Sequence, residues 1–364
     1  MHIGMDVRKC FDYGIGTYIQ NLLSQLERND DCQLTLFAEP DAVQLLRKEH
    51  RATVIANPSP KYSIQELFTV SAQANKAEVE LFHSPHYTLP YNLKSKRVVT
   101  IHDTIHLCFP QYFSSLQRAY AWFMIRHACT SSDMIIVDSD FTKDELLKRF
   151  PTPPGKIRTI HLGVSEIFFS KREPLKLEQF RAKYNILKPY ILYTGSLKPH
   201  KNVGLLVRAF ARLKNRKDRQ LIFTGENVKD VFELNCLIDD EGIRSSLIDL
   251  GRLANNELLL AYQGAQCVVL PSLHEGFGLS LVEAMATGTP VLGANATSIP
   301  EVLGGAVLLF DPFSVEDLTS ALERVDSDSA LRDSLIKRGK FRSQELSWEQ
   351  CAKQTMEVYN HVVG

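Results

Sequence analysis

The chain has 364 residues, 44% of them hydrophobic, which is enough for about two domain cores and too much for a disordered chain. Its 42 Lys+Arg balance 42 Asp+Glu and neither half is polarised, so the basic excess of a nucleic-acid binder is absent. No apolar run reaches the ~18 residues of a membrane span, and Asp6, Arg8, Lys9 and Asp12 interrupt any apolar leader core.

The expectation is therefore a cytoplasmic protein, with the inner face of the membrane as an alternative station. The seven cysteines are scattered and form no C-x-x-C pair, so they read as free thiols rather than a disulfide or zinc framework.

In chain order, His2–Asp6 reads as a short strand followed by a glycine-bearing loop, Gly14-Ile15-Gly16. Thr17–Leu26 then places Tyr18, Ile19, Leu22, Leu23 and Leu26 at helical spacing. Strands follow at 34–37, 79–82, 97–101, 134–137 and 157–160, with helices over 114–129 and 141–150 among them. The helix near 114–130 carries Leu116, Tyr120, Trp122, Phe123 and Ile125 with Arg118 and Arg126. It reads as a core helix, with a lipid-facing surface as the alternative. Residues 162–176 are polar and irregular and read as an interdomain linker.

The alternation restarts with strands at 190–194, 220–224, 247–250, 267–270, 290–292 and 307–310, helices between most of them, and Ser347 as N-cap of the last helix. The predicted fold class is α/β, with two Rossmann-like doubly wound domains facing across a cleft. The predicted domains are 1–172, joined by the final helix 347–364, and 173–346. The cleft is the natural ligand site.

The most informative segment is Glu275-Gly276-Phe277-Gly278-Leu279-Ser280-Leu281-Val282-Glu283, directly after a strand. Glycines opening a helix offer unpartnered N–H groups and close backbone approach, which suits an anionic or hydroxyl-rich ligand. Measured along a helix at ~1.5 Å per residue, the two carboxylates stand about 12 Å apart. That is too far for one metal ion and right for two polar parts of an elongated ligand. Asp138-Ser139-Asp140 is formally an Asp-x-Asp motif, but it opens a helix, where Ser139 is ordinary N-cap material. No metal ligand set and no cofactor is expected.

These residues resemble the family 4 glycosyltransferases, retaining enzymes of the GT-B fold. The Glu-x7-Glu segment runs on into Gly288-Thr-Pro290, as in that family. Gly14-Ile-Gly-Thr-Tyr18, Val99-Thr-Ile-His102-Asp103, Val137-Asp-Ser139, Gly195-Ser-Leu-Lys-Pro-His-Lys201 and Ser347-Trp348-Glu349 resemble its other motifs, in order. The resemblance implies that Glu275 bonds donor-sugar hydroxyls and Glu283 holds the ribose. It gives Gly276, Phe277, Gly278 and Leu279 N–H contacts to sugar or diphosphate. Lys201 would neutralise the diphosphate, with Gly14 and Gly16 admitting the phosphates. His102 and Asp103 would lie at the reacting sugar. Many relatives carry an arginine near the phosphate lysine; here Ser196 and His200 stand there, and Lys198 or Arg252 is expected to supply the second charge.

Asp6-Val-Arg8 and the Gly-Ile-Gly-Thr-Tyr run look most like the bacterial mannosyltransferase subgroup, which favours GDP-mannose as donor. The implied partners are a nucleotide sugar, as substrate, and a glycan or lipid-linked glycan acceptor, with peripheral membrane association as an accompanying expectation. The alternatives are a sugar-nucleotide epimerase or hydrolase of the same fold, or a non-catalytic nucleotide-sugar binder. A nicotinamide dehydrogenase is excluded because no G-x-G-x-x-G follows a strand.

Overall fold

The computed structural model describes residues 1–364 and divides them into two compact units. Residues 1–163 and 348–364 form the first; 164–347 form the second.

The first unit is built on seven strands: β1 (His2–Asp6), β2 (Gln33–Ala38), β3 (Thr53–Ala56), β4 (Leu81–Ser84), β5 (Lys96–Ile101), β6 (Met134–Val137) and β7 (Ile157–Thr159). They lie in the order β3-β2-β1-β4-β5-β6-β7 and every pair is parallel. Central strands covered on both faces have to be apolar throughout. Accordingly Ile3 and Met5 of β1, Val98, Val99 and Ile101 of β5, and Ile135, Ile136 and Val137 of β6 are all buried. The strand order reverses between β1 and β4, and ligands of such sheets bind outside the carboxyl ends at that point.

The helix Tyr13–Leu26 buries Tyr18, Ile19, Leu22, Leu23 and Leu26, the five residues its spacing singles out. It begins four residues earlier than the pattern suggests, so Gly14 and Gly16 occupy its first turn rather than a preceding loop. The closing helix, Trp348–Val363, packs within this unit, its Tyr359 hydroxyl 2.6 Å from His83 Nδ1. Strand β3 and the helix Glu66–Lys76 have no counterpart in the sequence reading, because a four-residue edge strand carries too little periodicity to register.

The helix Ser115–Ser131 departs from the core-helix expectation. Ala121, Met124, Ile125, Ala128 and Cys129 are buried, but Leu116, Trp122 and Phe123 face solvent. Spacing alone does not say which face of a helix with apolar residues on both sides meets the core.

The second unit carries β8 (Tyr190–Gly195), β9 (Gln220–Gly225), β10 (Leu247–Asp249), β11 (Cys267–Leu270), β12 (Val291–Ala294) and β13 (Leu308–Phe310). Their order is β10-β9-β8-β11-β12-β13, again all parallel, with the reversal between β8 and β11. Residues 164–172, expected with the first domain, belong to this unit. Phe168 is fully buried, its ring 5.7 Å from that of Tyr262, and the Gln263 amide donates to Ser170 O. One buried aromatic side chain outweighs the polarity that made the segment read as a linker. Both units are the doubly wound α/β sheets that the alternation of elements predicts.

Candidate active site

In the second unit, the loops after β8 and β11 emerge on either side of the reversal point, and each delivers one charged side chain. The loop after β8 ends in a short 3-10 turn, Pro199–Lys201, then Asn202 in the left-handed region at φ 54°. The Asn202 amide donates to the carbonyls of Pro271 and Pro312 at 3.2 and 2.8 Å, pinning this loop to its neighbours. Leu273 N donates to His200 O at 2.8 Å. These bonds hold Lys201 beside the loop after β11, where its Nζ donates to Glu275 Oε1 at 2.7 Å.

Glu275 is fixed through its own backbone: its N–H donates to Thr297 Oγ1 and its carbonyl accepts from Ser298 Oγ. The pair is only slightly exposed, with 20% of the Lys201 and 12% of the Glu275 side chain accessible. Ser196 is half-buried on the β8 loop, while Lys198 and, after β10, Arg252 are exposed. Lys198 and Arg252, the two expected alternatives for a second cation, are thus both solvent-accessible.

The helix after β11 begins at Leu279, not at Gly276, with Gly278 as its N-cap at φ 87°. A side chain at Gly278 would be strained by that φ and would place Cβ 2.6 Å from Ile299 Cδ1. Gly276 and Phe277 thus lie in the loop, and the Phe277 ring is buried, so it is their backbone that can meet a ligand. Because Glu275 is in the loop, the helical spacing of about 12 Å assumed for the two carboxylates does not apply. Glu283 lies in the second turn of the helix and is 9% exposed. The Tyr262 hydroxyl donates to its Oε2 at 2.9 Å. Burial pushes the Glu283 carboxyl up to about 7, against the opposing effect of that hydrogen bond.

In the first unit, His102 follows β5 and Asp138 follows β6, side by side at the carboxyl edge. His102 Nδ1 is 2.6 Å from Asp138 Oδ2, and Nε2 is 3.1 Å from the Pro85 carbonyl. A carbonyl only accepts, so Nε2 donates to Pro85, and the Asp138 carboxylate beside Nδ1 favours the doubly protonated ring. Burial alone would lower the His102 pKa, but Asp138 outweighs it and raises it. Asp103 sits next along, its carboxylate accepting from Ile105 N at 3.1 Å.

Gly14 and Gly16 play different parts in the helix that follows β1. A Cβ at Gly14 would meet nothing within 4 Å, whereas one at Gly16 would lie 2.6 Å from the Cys10 carbonyl oxygen. Gly16 lets the helix close onto the preceding loop; Gly14 is exposed in the first turn.

The two carboxylates of the Asp-x-Asp motif have separate partners. Asp138 faces His102, and Asp140 accepts from Thr159 Oγ1 at 2.6 Å. Sequence reasoning passed over Tyr262 and the role of Asp138 toward His102. It also missed the buried cluster in which Arg8 forks onto Asp6 at 2.6 and 2.9 Å and reaches Glu66 at 2.8 Å. Asp6 and Arg8 are legible as a pair in the Asp-x-Arg spacing; Glu66 and Tyr262 carry no local signal. Lys9 is also buried, its Nζ 3.5 Å above the Tyr62 ring, and burial lowers its pKa to about 8.

Comparison with known proteins identifies relatives of the chain. The family described as Glycosyltransferase Family 4 matches residues 13–166, and that described as Glycosyl transferases group 1 matches residues 177–342. The chain is 31% identical over 283 residues to O-antigen chain mannosyltransferase B of Escherichia coli, covering 77% of this chain and 74% of that one. It is 28% identical over 291 residues to the serotype-specific mannosyltransferase WbdA of Escherichia coli, a longer protein of which only 36% is spanned. Among solved structures, Anabaena Alr3699/HepE in complex with UDP and glucose superposes with a TM-score of 0.82 at 19% identity, covering 99% of this chain and 100% of that one.

Proposed function

The chain belongs to glycosyltransferase family 4, and we propose that it moves a hexose with retention from a nucleoside-diphosphate sugar to a hydroxyl of a glycan or lipid-linked glycan, forming an α-linkage. Mannose from GDP-mannose is the favoured donor, supported by the mannosyltransferase relatives and by the Asp6-Val-Arg8 run. The observation that carries the reading is the Lys201–Glu275 pair at the reversal point of the second sheet, with Glu283 held by Tyr262 close by in sequence.

Departure of a nucleoside diphosphate builds negative charge on phosphate and positive charge at the anomeric carbon. Lys201 sheds part of its interaction with Glu275 and neutralises the diphosphate, and the backbone N–H groups at Gly276–Leu279 add donors. Glu275 accepts from the donor-sugar hydroxyls, and Glu283 accepts from the ribose diol. In the first unit, Asp138 favours the protonated form of His102, and family membership implies a role for His102 and Asp103 at the reacting sugar. The leaving phosphate takes the proton of the acceptor hydroxyl as the new bond forms on the same face. Lysine and backbone donors supply the charge stabilisation proposed for the diphosphate, so the scheme invokes no cofactor.

The test is a thermal-shift screen against GDP-, UDP-, ADP- and TDP-sugars, with Glu283→Ala as control. A ligand that binds the folded state raises its melting temperature. A rise with a GDP-sugar alone, abolished by Glu283→Ala, is the expected result. A rise with another base replaces the donor assignment, and no rise with any of them removes the support for this site.

A further inference from the structure

Two buried polar atoms of the first unit make no hydrogen bond, and both lie against one aromatic ring. Lys9 stands in the loop after β1 and His86 in the loop after β4, the two strands that flank the reversal point. The residues are 5% and 7% exposed, and neither Lys9 Nζ nor His86 Nδ1 has a hydrogen-bond partner. Lys9 Nζ is 3.5 Å from the centre of the Tyr62 ring, and the His86 ring meets that ring edge-on at 5.8 Å. Buried polar groups are nearly always paired, so two orphans at one place need a physical reason. Burial lowers the Lys9 pKa to about 8, so its ammonium is held there at a net cost.

The neighbouring charges already have partners. Arg8 forks onto Asp6 and reaches Glu66, and Lys61 pairs with Asp12 at 3.0 Å and Glu39 at 3.3 Å. Arg8 and Lys9 together offset Asp6 and Glu66, so Lys9 lacks hydrogen-bond acceptors rather than negative charge. That favours a neutral, oxygen-rich ligand over an anion. The surroundings are aromatic: the Tyr120 ring stands 6.4 Å from Tyr62, and the Tyr87 ring 3.9 Å from His86. Apolar ring faces beside a few convergent polar atoms suit a sugar, which has C–H faces and oxygen edges.

Tyr62 is placed to move. It lies in the irregular segment between β3 and the helix Glu66–Lys76 and is 48% exposed. Its φ of 61° is a left-handed conformation that costs energy in a tyrosine. The loop beneath it also serves His102, whose Nε2 donates to the carbonyl of Pro85, the residue before His86.

We propose that Tyr62 covers a sugar-binding subsite: the ring swings aside to stack on the sugar, and Lys9 and His86 bond to its oxygens. Beside His102, this subsite takes the acceptor glycan. The acceptor role rests on the glycosyl-transfer reading; the binding of a sugar does not.

The experiment is saturation-transfer NMR on the full chain, with methyl α-D-mannopyranoside and mannose 6-phosphate as probes at millimolar concentration. Transfer to the neutral glycoside is expected in wild type and in Tyr62→Phe, and a weaker signal in Tyr62→Ala. Lys9→Met should weaken probe affinity about 10-fold or more, the range for a hydrogen bond from a charged donor. The same variant should keep or raise the melting temperature, because an apolar chain of similar length replaces a buried cation with unmade hydrogen bonds. Persistence of the signal in Glu275→Gln separates it from the sugar contacts proposed for the second unit. Probe binding of this pattern without any nucleotide-sugar thermal shift would leave the subsite standing and strike only the donor reading. No transfer in wild type overturns the proposal, as does transfer to mannose 6-phosphate alone. A lower melting temperature with unchanged probe binding in Lys9→Met makes Lys9 a scaffold residue and also overturns it. Loss of the signal in Glu275→Gln with retention in Lys9→Met does the same, by assigning the probe to the second unit.

Discussion

Lys201 Nζ and Glu275 Oε1 lie 2.7 Å apart although 74 residues separate them in the chain. The parallel sheet brings the loops after β8 and β11 together, because the two strands are neighbours at the reversal point. Each charge is thus compensated by the other, and on the proposed reading a diphosphate competes with Glu275 for Lys201. Lys201→Ala is expected to cut kcat/KM by on the order of 10²–10³, the range for loss of one group that stabilises transition-state charge. Glu275→Gln should also lower activity. The double variant should lose less than the sum of the single losses, since the two groups interact directly. Steady-state kinetics on the four proteins measures the coupling; strict additivity would mean the pair does not act as a unit.

On the proposed reading, Glu283 makes donor binding pH-dependent. Its carboxyl is raised to about 7 by burial, above its ordinary value of 4.5. The neutral acid therefore contributes stability that is complete below 4.5 and is lost as pH rises through about 7. A ribose diol donates hydrogen bonds and so prefers the ionised form. Donor affinity should rise about tenfold between roughly pH 6 and 8. Calorimetric titration across that range should show a flat profile for Glu283→Gln. A flat profile for wild type would detach Glu283 from the ribose.

His102 and Asp138 act together. Asp138→Asn removes the carboxylate that raises the His102 pKa, leaving burial to lower it. The raised pKa means the imidazolium stabilises the fold below the ordinary histidine range, and this contribution is lost as pH rises through the folded value. In Asp138→Asn the alkaline limb of kcat/KM should move to lower pH. The melting-temperature deficit against wild type should be largest at acid and neutral pH. An unmoved pH profile would confine Asp138 to a packing role.

Gly14 and Gly16, two positions apart in the motif, should respond oppositely to alanine. Gly16→Ala forces a Cβ to 2.6 Å from the Cys10 carbonyl oxygen and should cost about 1–3 kcal/mol of stability. Gly14→Ala meets no neighbour and, in a helical turn, should leave stability equal or higher by about 0.4–1 kcal/mol. If Gly14 admits donor phosphates, the alanine variant keeps its melting temperature while its donor KM rises. Thermal melts and donor titrations of the two variants separate scaffold from site.

Much of the architecture is legible in the chain itself. Buried parallel strands must be short apolar runs, and Met134–Val137 and Cys267–Leu270 carry the same bounds in sequence and structure. The helix Tyr13–Leu26 shows its buried face in its spacing. Glu275, Lys201 and His102 stand out in the sequence because each lies in a loop that follows a strand, and Glu283 because it lies in the helix that the Glu275 loop leads into. What was not legible depends on contacts between distant segments. Phe168 draws residues 164–172 into the second unit, and Trp122 and Phe123 turn away from the core although their neighbours Ala121 and Met124 are buried.

The amino-acid sequence by itself determined the two α/β units, the order of their elements and the residue types from which a donor site could be made, because periodicity and strand-to-helix junctions are local properties. Only the tertiary structure decided which of those residues pair. Lys201 with Glu275, Tyr262 with Glu283 and Asp138 with His102 meet because parallel sheets place remote loops and helices side by side. Burial at those meetings then sets the ionisation of the groups, pushing the Glu283 carboxyl up to about 7, a quantity that no spacing encodes.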